Sequence, residues 1–375
     1  MVLVIGPVAP PYVGPAVGIE MIRAAFERAG ARVLHVNTQD RRSVFNTGVL
    51  DLRNVRLALL HAARTAMLIA RERPDLVYVP ISQVRWGYVR DAVLMTILRL
   101  TRRPFVAHTN GARFQDFYGG AGRLEQLMIR RTLAWASRGI VLTPNLSHVF
   151  DGLVPGARVR ILEYAIPDPY PLGDHALAEA RRARAESAPR ALRLLYLAND
   201  WASKGALTLI RSLSYPGLED VELRLAGDPR QRDLDATRAL ADELGVAARV
   251  TILGSVSGET KEEQFEWADA LVHPTDNDAQ PIAIIEAMAA GLPVVTTPIG
   301  GIAHTVGPAG VLVPPRDPER LAGAIRSLVD DPDLRLRLGR ASRAQFVAHY
   351  TPEPFQERFV ALFGELVPLT PAAQR

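Results

Sequence analysis

Two carboxylates stand eight residues apart in the stretch DNDAQPIAIIEAMAAGLPVV, which covers residues 276–295. Asp278 lies in a polar loop, whereas Glu286 lies in a segment that is apolar on almost every side. A helix that is apolar all round must be buried, and a buried charge without a partner is very costly. Glu286 is therefore expected either to pair with an arginine or to hold, together with Asp278, a ligand rich in hydroxyl groups.

The residues on either side of this pair predict the secondary structure around it. ALVHP predicts a strand before the loop, and LPVVTT predicts the next strand after Gly291, a residue type that commonly ends a helix. Pro281 stands where a first helical residue is favoured. Because the start of a helix presents free backbone N–H groups and the positive end of its dipole, this position suits a phosphate.

Short β-branched runs alternate with helical stretches along the chain. The runs are VLVI, ARVLHV, DLVYV, PFVAH and GIVLT in the first half, and RLLYLA, ELRLAG, RVTILG, ALVHP and PVVTT in the second. Amphipathic stretches between them include 19–29, 123–136, 204–213 and 233–244. This alternation predicts parallel sheets covered on both faces. We expect an α/β fold of two doubly wound, Rossmann-like domains that face each other across a cleft.

The two series meet in a stretch that is rich first in proline and then in alanine, arginine and glutamate. Such a composition is typical of a connection between domains. We expect an N-terminal domain over residues 1–166, a linker over 167–190 and a C-terminal domain over 191–351. The last segment, 352–375, opens with prolines and predicts one amphipathic helix.

Composition excludes several kinds of site and segment. The chain has 375 residues and no cysteine, so it exceeds the usual size of one core and has neither disulfides nor thiolate metal sites. Its histidines show no ligand spacing, and its acid-x-acid patterns DND and DPD are short and common, so no metal is expected. We interpret DPD as the loop that starts a helix.

No segment predicts insertion into a membrane. The apolar start of the chain has no basic residue and is interrupted by four prolines, which excludes a spanning helix or a signal peptide. No other run is long and apolar enough to cross a bilayer. We expect a cytoplasmic protein, either in solution or peripheral to a membrane.

Charge is distributed unevenly along the chain. Through Asp168 there are 22 arginines, no lysine and 12 acidic residues, whereas the remainder has 22 basic and 28 acidic residues. A basic first half favours an acidic partner, either a phosphorylated or lipid-linked acceptor or a membrane face. A solvated basic face with no partner remains the alternative. Nucleic acid is not expected, because no recognition module or basic stripe with interleaved aromatic residues is present.

The stretch that contains Asp278 and Glu286 resembles the signature of retaining GT-B glycosyltransferases, in particular glycosyltransferase family four. That signature has two acids spaced E-x(7)-E, proline or glycine after the first, and EAMA-G-PVV around the second. Five further segments agree in order with the family, namely PPYVGPAVG, FVAHTNGARFQDFY, LANDWASKG, VELRLAGD and RVTILGSVS. The resemblance covers most of the chain and is strongest in the C-terminal half.

The resemblance implies a role for each matching residue. Glu286 would hold the ribose hydroxyls of a nucleotide sugar, and Asp278, which replaces the family's glutamate, would hold hydroxyls of the transferred sugar. His108, which ends PFVAH, would contact the donor sugar close to the reacting carbon. The final helix would pack back on the N-terminal domain. Groups of the loop and helix start would help to bind the donor; they belong to Ala279, Gln280, Pro281 and Ile282.

Other candidates follow strands, where ligands bind in parallel α/β sheets. Lys204 follows RLLYLA and is one of only two lysines, so a compact cation there would neutralise a departing diphosphate; a surface lysine is the alternative. Asn199 replaces the arginine that the family has just before this lysine. Gly14 and Gly18 are expected in the loop after the first strand. We assign Gly14 to phosphate contact, because a missing side chain lets the backbone approach a phosphate.

Two regions would set specificity. The strand end near Leu253 is expected to contact the base of the nucleotide, and Arg113 and Phe114 are expected to shape the acceptor pocket. Together these assignments predict a retaining, metal-independent glycosyltransferase of the hexosyltransferase type, with His108, Lys204 and Asp278 as its catalytic residues. Its acceptor would be a hydroxyl of a polysaccharide, glycolipid or natural-product intermediate, and it would need no cofactor besides its donor substrate.

Two alternatives remain open at this point. The replacements at Asn199 and Asp278 would also fit a nucleotide-sugar-binding relative that no longer catalyses transfer. An enzyme of the same fold that couples a non-sugar acceptor group is the other alternative. Product analysis separates these three readings.

Overall fold

The computed structural model describes residues 1–8, 14–39, 50–170 and 191–369, together with the single positions Glu179 and Ala183. The chain divides into two compact units: Met1–Tyr164 with Pro352–Arg375, and Ala165–Thr351. The second unit thus begins at Ala165, whereas the first domain was predicted to end at residue 166. Most of the predicted linker, namely 171–178, 180–182 and 184–190, lies outside the described residues.

The first unit contains a six-stranded parallel sheet. Its strands are β1 (Val2–Gly6), β2 (Val33–Asn37), β3 (Leu76–Ile81), β4 (Phe105–Thr109), β5 (Arg138–Val141) and β6 (Val159–Ile161). Their order is β2-β1-β3-β4-β5-β6, and every neighbouring pair is parallel. Strands β1 and β4 are buried along their whole length, because helices cover both faces of such a sheet.

The described part of this unit contains six α-helices. They are α1 (Gly14–Arg28), α2 (Leu52–Glu72), α3 (Arg85–Leu100), α4 (Phe114–Gly119), α5 (Arg123–Ala134) and the C-terminal helix (Pro352–Gly364). The ring of Phe26 on α1 packs edge-on against Phe359 and Phe363, with centroid distances of 4.6 and 4.8 Å. These aromatic contacts join the C-terminal helix to α1, so the two ends of the chain share one core.

The second unit contains another six-stranded parallel sheet. Its strands are β7 (Arg193–Leu197), β8 (Glu222–Ala226), β9 (Val250–Gly254), β10 (Ala270–His273), β11 (Val294–Thr296) and β12 (Gly310–Leu312). Their order is β12-β11-β10-β7-β8-β9. The order reverses between β7 and β10, which is where ligands bind in doubly wound sheets.

Seven α-helices of this unit lie within the described residues. They are α6 (Ala206–Ser212), α7 (Gln231–Glu243), α8 (Glu259–Trp267), α9 (Ile282–Ala289), α10 (Ile302–Val306), α11 (Pro318–Asp330) and α12 (Pro332–His349). Asp331 caps α12, and its side chain accepts a hydrogen bond from the backbone N–H of Leu334 at 2.7 Å. The DPD pattern is therefore a helix start, as predicted.

All ten predicted strands are present, within one to three residues of their expected bounds. The structure adds two that were missed, β6 and β12, which have three residues each and lie at the outer edges of the sheets. Neither is buried like the central strands, so neither shows the apolar run that predicts a buried strand.

Candidate functional site

Asp278 lies in the loop between β10 and α9 and forms an ion pair with Lys204. The Nζ of Lys204 donates to Asp278 Oδ2 at 2.5 Å and to the carbonyl oxygen of Asn277 at 2.6 Å. Asp278 Oδ1 accepts from the backbone N–H of Ala279 at 2.9 Å. Burial favours a higher pKa for Asp278, but the neighbouring Lys204 and His273 together outweigh it, and the pKa lies below its ordinary value. Asp278 is therefore held as a carboxylate.

Glycine allows the two loops that carry this pair to approach each other. Gly205 has a φ of +79°, and a Cβ there would lie 2.1 Å from the carbonyl oxygen of Pro274. Thr275 Oγ1 donates to the carbonyl oxygen of Ser203 at 3.2 Å, and the backbone N–H of Asp276 donates to the same oxygen at 3.0 Å. Any larger residue at position 205 would push the two loops apart. Gly205 therefore determines the position of the preceding residue, Lys204.

A buried histidine adjoins the same pair. His273 ends β10, and its Nε2 is 3.6 Å from Asp278 Oδ2, which is beyond hydrogen-bonding distance. Its ring stacks on Tyr196 with a centroid distance of 6.2 Å. Neither ring nitrogen has a hydrogen-bond partner among the described residues. Burial lowers the pKa of His273, so the ring is neutral.

Glu286 lies on α9 and pairs with Lys261 on α8, with a distance of 2.5 Å between Nζ and Oε1. The Glu286 side chain is only 16% exposed. Burial raises the pKa of Glu286, and the charge of Lys261 acts in the opposite direction. Within the protein, the partner of this acid is a lysine and not the expected arginine.

Both lysines of the chain are thus paired with the two acids of the signature stretch. The other 42 of its 44 basic residues are arginines. Because lysine is scarce in this chain, the sequence analysis selected Lys204 as a candidate. The same argument holds for Lys261, which the sequence analysis missed. Lys261 was missed because its neighbours in the helical stretch ETKEEQFEW are typical of an acidic, solvated surface.

The structure also places four other residues that were expected to bind the donor, namely Asn199, Leu253, Pro281 and Ile282. Asn199 Oδ1 accepts from the backbone N–H of Asp228 at 2.9 Å, which links the segments that follow β7 and β8. Leu253 is a half-buried residue of β9. Pro281 caps α9, which begins at Ile282, one residue later than predicted.

The loop before α9 uses several of its own polar groups. The carbonyl oxygen of Ala279 accepts from the backbone N–H of Gly301 at 2.7 Å. Gln280 is buried, and its Nε2 lies 3.4 Å from Thr305 Oγ1. These bonds hold the loop against α10, so the start of α9 is firmly positioned.

The prediction that Gly14 and Gly18 lie in a loop is wrong, because both belong to α1. Gly18 is buried, and a Cβ there would lie 2.7 Å from the ring of Tyr164, so close packing explains this glycine. Apart from its chain neighbours, no heavy atom of the described residues lies within 4 Å of a Cβ built at Gly14. Gly14 is the first residue of α1, and its contact with a phosphate stays a prediction.

His108 lies in β4 of the first unit and is 1% exposed. Its Nδ1 is hydrogen-bonded to the hydroxyl of Tyr78 on the neighbouring strand β3. Its Nε2 is buried and has no hydrogen-bond partner within the described part of the chain. Burial lowers the pKa of His108 to about 3, so the imidazole is neutral at physiological pH.

The two residues expected to shape an acceptor pocket differ in exposure. Arg113 is the N-cap of α4, and its exposed side chain pairs with Asp116 at 2.8 Å. Phe114 is wholly buried, and its ring packs edge-on against Tyr88 and Phe117. Phe114 is therefore a core residue of the first unit and is not open to an acceptor, which corrects that part of the prediction.

Two features are absent from the residues that the structure describes. In these ranges no group of three or more histidine, aspartate or glutamate side chains is placed to hold a metal ion. Over the same ranges, no helix combines the length and apolar character needed to cross a membrane.

Comparison with known proteins finds a family match within the second unit. Residues 179–345 match the glycosyl transferases group 1 family. The segment contains both ion pairs described above. The resemblance to glycosyltransferases predicted from the signature stretch is thereby confirmed.

Curated relatives match over part of their length. The D-inositol 3-phosphate glycosyltransferase of Corynebacterium urealyticum is 31% identical over 168 residues, which are 44% of this chain and 39% of the relative. The alpha-D-kanosaminyltransferase of Streptomyces kanamyceticus is 28% identical over 223 residues, which are 57% of this chain and 56% of the relative. The chain therefore spans about half of the length of these relatives or less.

Solved structures share the fold over almost the whole chain. Sucrose-phosphate synthase from Thermosynechococcus elongatus has a TM-score of 0.77 at 19% identity, covering 97% of this chain and 98% of that one. Anabaena HepE, solved in complex with UDP, has a TM-score of 0.73 at 17% identity, covering 97% and 100%. Identities this low speak for the fold alone, and they confirm the predicted α/β class with two Rossmann-like domains of the GT-B type.

Proposed function

We propose that the protein is a retaining, metal-independent glycosyltransferase that moves a sugar from a nucleoside-diphosphate sugar to an acceptor hydroxyl. The observation that carries the proposal is the pairing of Asp278 and Glu286 with the only two lysines of the chain. A carboxylate–ammonium pair provides acceptors for hydroxyl groups and donors for phosphate oxygens. The match of residues 179–345 to the glycosyl transferases group 1 family supports the same proposal.

Lys204 is the group we assign to the departing diphosphate. An ammonium group has three N–H donors, and two of them are engaged by Asp278 and by the carbonyl of Asn277. The third donor is left for a phosphate oxygen. When the bond from the sugar's anomeric carbon to the diphosphate oxygen breaks, the charge that develops on this oxygen is stabilised by the lysine.

The bond that forms joins the acceptor oxygen to the anomeric carbon on the face that the diphosphate leaves. The acceptor's proton passes to an oxygen of the departing diphosphate, so the step needs no nucleophilic side chain. Asp278, as a carboxylate, accepts hydrogen bonds from hydroxyls of the transferred sugar and fixes its orientation. Glu286 accepts hydrogen bonds from the ribose hydroxyls of the nucleotide.

Transfer itself is the test of this proposal. The purified protein is incubated with UDP-, GDP-, dTDP- and ADP-sugars and a panel of hydroxyl acceptors, with and without EDTA, and products are analysed by NMR. We expect one donor to be consumed, the new bond to keep the donor's anomeric configuration, and EDTA to have no effect. An inverted anomer would contradict retention, and loss of transfer in EDTA would contradict metal independence.

The same experiment addresses the non-catalytic alternative. Asn199 favours this alternative, because it replaces the arginine of the family and its Oδ1 is bound to the backbone of Asp228. Binding of a nucleotide sugar without transfer or donor hydrolysis would then replace our proposal. Consumption of the donor with a product in which a non-sugar acceptor group has been coupled would favour the other alternative.

We also propose peripheral contact with an anionic membrane through α2, which would bring the enzyme to a lipid-linked acceptor. This helix exposes large apolar side chains that we name the α2 stripe; they are Leu52, Leu59, Leu60 and Met67, with exposures of 91%, 66%, 53% and 51%. At 3.6 residues per turn these four lie on one side of the helix. Apolar stripes of this kind insert into the boundary between lipid headgroups and acyl chains.

Arginines lie along one edge of the α2 stripe. Arg53, Arg64 and Arg71 recur at positions that fall on the same side of the helix, and all three are exposed. None of them forms an ion pair within the described ranges. An apolar stripe bordered by unpaired cations complements an anionic lipid surface.

Vesicle binding tests this contact. We expect the protein to sediment with vesicles containing phosphatidylglycerol and not with pure phosphatidylcholine vesicles. Arg64→Gln with Arg71→Gln should weaken binding about 30-fold, at about 1 kcal/mol per cation. The matched control is Arg232→Gln with Arg238→Gln, two exposed arginines of the second unit. Equal weakening by the control pair, or equal binding to neutral vesicles, would contradict the proposal.

A further inference from the structure

His108 and Tyr78 form an isolated pair inside the first sheet. Tyr78 on β3 is in register with Val106 on β4, and His108 lies two residues further along β4. Because side chains alternate between faces along a strand, Tyr78 and His108 lie on the same face of the sheet. The rings meet edge-on with a centroid distance of 5.7 Å, and the Tyr78 hydroxyl bonds to His108 Nδ1.

The direction of this hydrogen bond follows from the groups around it. Among the described residues, His108 Nδ1 is the only partner of the Tyr78 hydroxyl, and His108 Nε2 has no partner. If Nδ1 carried the proton, the tyrosine O–H would be a buried donor without an acceptor, and Nε2 would be a second unsatisfied atom. If the tyrosine donates to Nδ1, one buried donor alone is left unsatisfied, which costs less free energy.

Protonation states agree with that direction. Burial raises the pKa of Tyr78 well above 10, so its hydroxyl keeps its proton. Burial also lowers the pKa of His108 to about 3, so the ring carries a single proton. A neutral histidine whose Nδ1 accepts a hydrogen bond carries its proton on Nε2.

We infer that Tyr78 is a positioning residue that locks His108 in the Nε2–H tautomer, so that His108 donates a hydrogen bond to a ligand oxygen and does not act as a base. The locked tautomer stands on the geometry alone. The ligand contact rests on the proposed function, and its acceptor is an oxygen of the sugar donor. Because the N–H is buried without a partner, it is desolvated before the ligand arrives, and a ligand oxygen replaces an unsatisfied donor rather than a bound water.

Nitrogen NMR tests the tautomer without any substrate. The protein is labelled with ¹⁵N-histidine, and long-range ¹H–¹⁵N spectra at pH 7 are compared with those of His108→Gln, which removes and so assigns the signals of His108. We expect His108 to show a protonated Nε2 and an unprotonated Nδ1, together with a slowly exchanging hydroxyl proton from Tyr78. In Tyr78→Phe this proton should vanish and both tautomers should be populated. A wild-type signal from protonated Nδ1, or an unchanged tautomer in Tyr78→Phe, would overturn the inference.

Kinetics then test the role of the N–H. With the donor identified by the transfer assay, Tyr78→Phe should lower kcat/KM about 5- to 10-fold. His108→Gln should retain more activity than His108→Asn, because only the longer amide places an N–H donor near the position of Nε2. Equal loss in both amide variants would overturn the donor role. If no donor is ever transferred, the proposed function fails, while the spectra still decide the tautomer.

Discussion

The polar side chains proposed to contact the donor, together with their partners, are charged in the second unit and neutral in the first. In the second unit, Asp278 and Glu286 are charged groups that lysines neutralise at 2.5 Å. In the first unit, His108 and Tyr78 are both neutral and joined by one hydrogen bond. Buried charges persist when they are paired, whereas a lone buried histidine gives up its charge. The difference is consistent with our proposal that the second unit binds phosphate and hydroxyl groups and that the first supplies a single neutral donor.

Two buried histidines sharpen this contrast. His108 has a tyrosine hydroxyl on one nitrogen, whereas His273 is stacked on Tyr196 without a hydrogen bond to it. Burial lowers the pKa of both rings. Packing therefore keeps both neutral, but only His108 is given a defined tautomer, which is the property that a hydrogen-bonding contact with substrate requires.

The largest effect is expected from removing the cation of the second unit. Lys204→Met should lower kcat about 10²- to 10³-fold, because the charge on the departing diphosphate loses its stabilisation. Lys204→Arg is the matched variant that keeps the charge and should retain more activity. Steady-state transfer assays measure both, and equal activity of Lys204→Met and wild type would contradict the role of this lysine.

The second ion pair should matter for stability. Lys261→Met leaves Glu286 mostly buried without its partner, and the free energy of unfolding should fall by roughly 1–3 kcal/mol. Lys261→Met combined with Glu286→Gln should recover most of this loss, because no charge then remains unpaired. Urea unfolding of the two variants decides the point, and a double variant as unstable as the single one would argue against pairing as the cause.

Acid should destabilise the neutral site of the first unit. His108 has a pKa of about 3 in the folded protein and near 6.5 when unfolded, so the unfolded chain binds more protons between these values. The contribution of the neutral His108 to the free energy of unfolding is therefore fully present above pH 6.5. It is lost as the pH falls, by about 2 kcal/mol between pH 6.5 and pH 5. His108→Gln should reduce this slope in thermal unfolding at several pH values. The control is His148→Gln at an exposed position, and an equal change in both variants would contradict the account.

The smallest effect concerns the glycine between the loops of the second unit. Gly205→Ala places a Cβ against the carbonyl of Pro274, whereas Gly245→Ala at a similar φ of +67° meets no atom within 4 Å. Both variants carry the strain of the left-handed region, so their difference isolates the steric contact. We expect Gly205→Ala to be less stable by about 1 kcal/mol more than Gly245→Ala. Equal melting temperatures would show that the loops can move apart freely.

Much of the architecture could be predicted from local patterns. The ten predicted strands follow from apolar runs, and helix caps follow from residues such as Asp331. Both signals act within a few residues of sequence. The signature stretch also located Asp278 and Glu286. These features need no knowledge of how distant segments meet.

Partners distant in sequence could not be predicted in the same way. Lys261 is 25 residues from Glu286, and Tyr78 is 30 residues from His108, so no periodicity links them. Phe114 looked accessible in the sequence and is buried because Tyr88 and Phe150, which are distant in sequence, pack against its ring together with Phe117 of the same helix. Gly14 and Gly18 looked like loop residues, and helix α1 includes them despite their low helix propensity. Tertiary packing decides each of these cases.

The central claim is that Glu286 binds the ribose of a nucleotide, and isothermal titration tests it most directly. UDP, GDP, dTDP and ADP are titrated into the wild type, Glu286→Gln and the control Glu263→Gln, an exposed residue of α8. We predict that one nucleotide binds the wild type and the control equally, and binds Glu286→Gln about 10- to 100-fold more weakly, as expected for lost hydrogen bonds to a charged group. Equal affinity for Glu286→Gln, or no binding of any nucleotide to the folded wild type, would contradict the account.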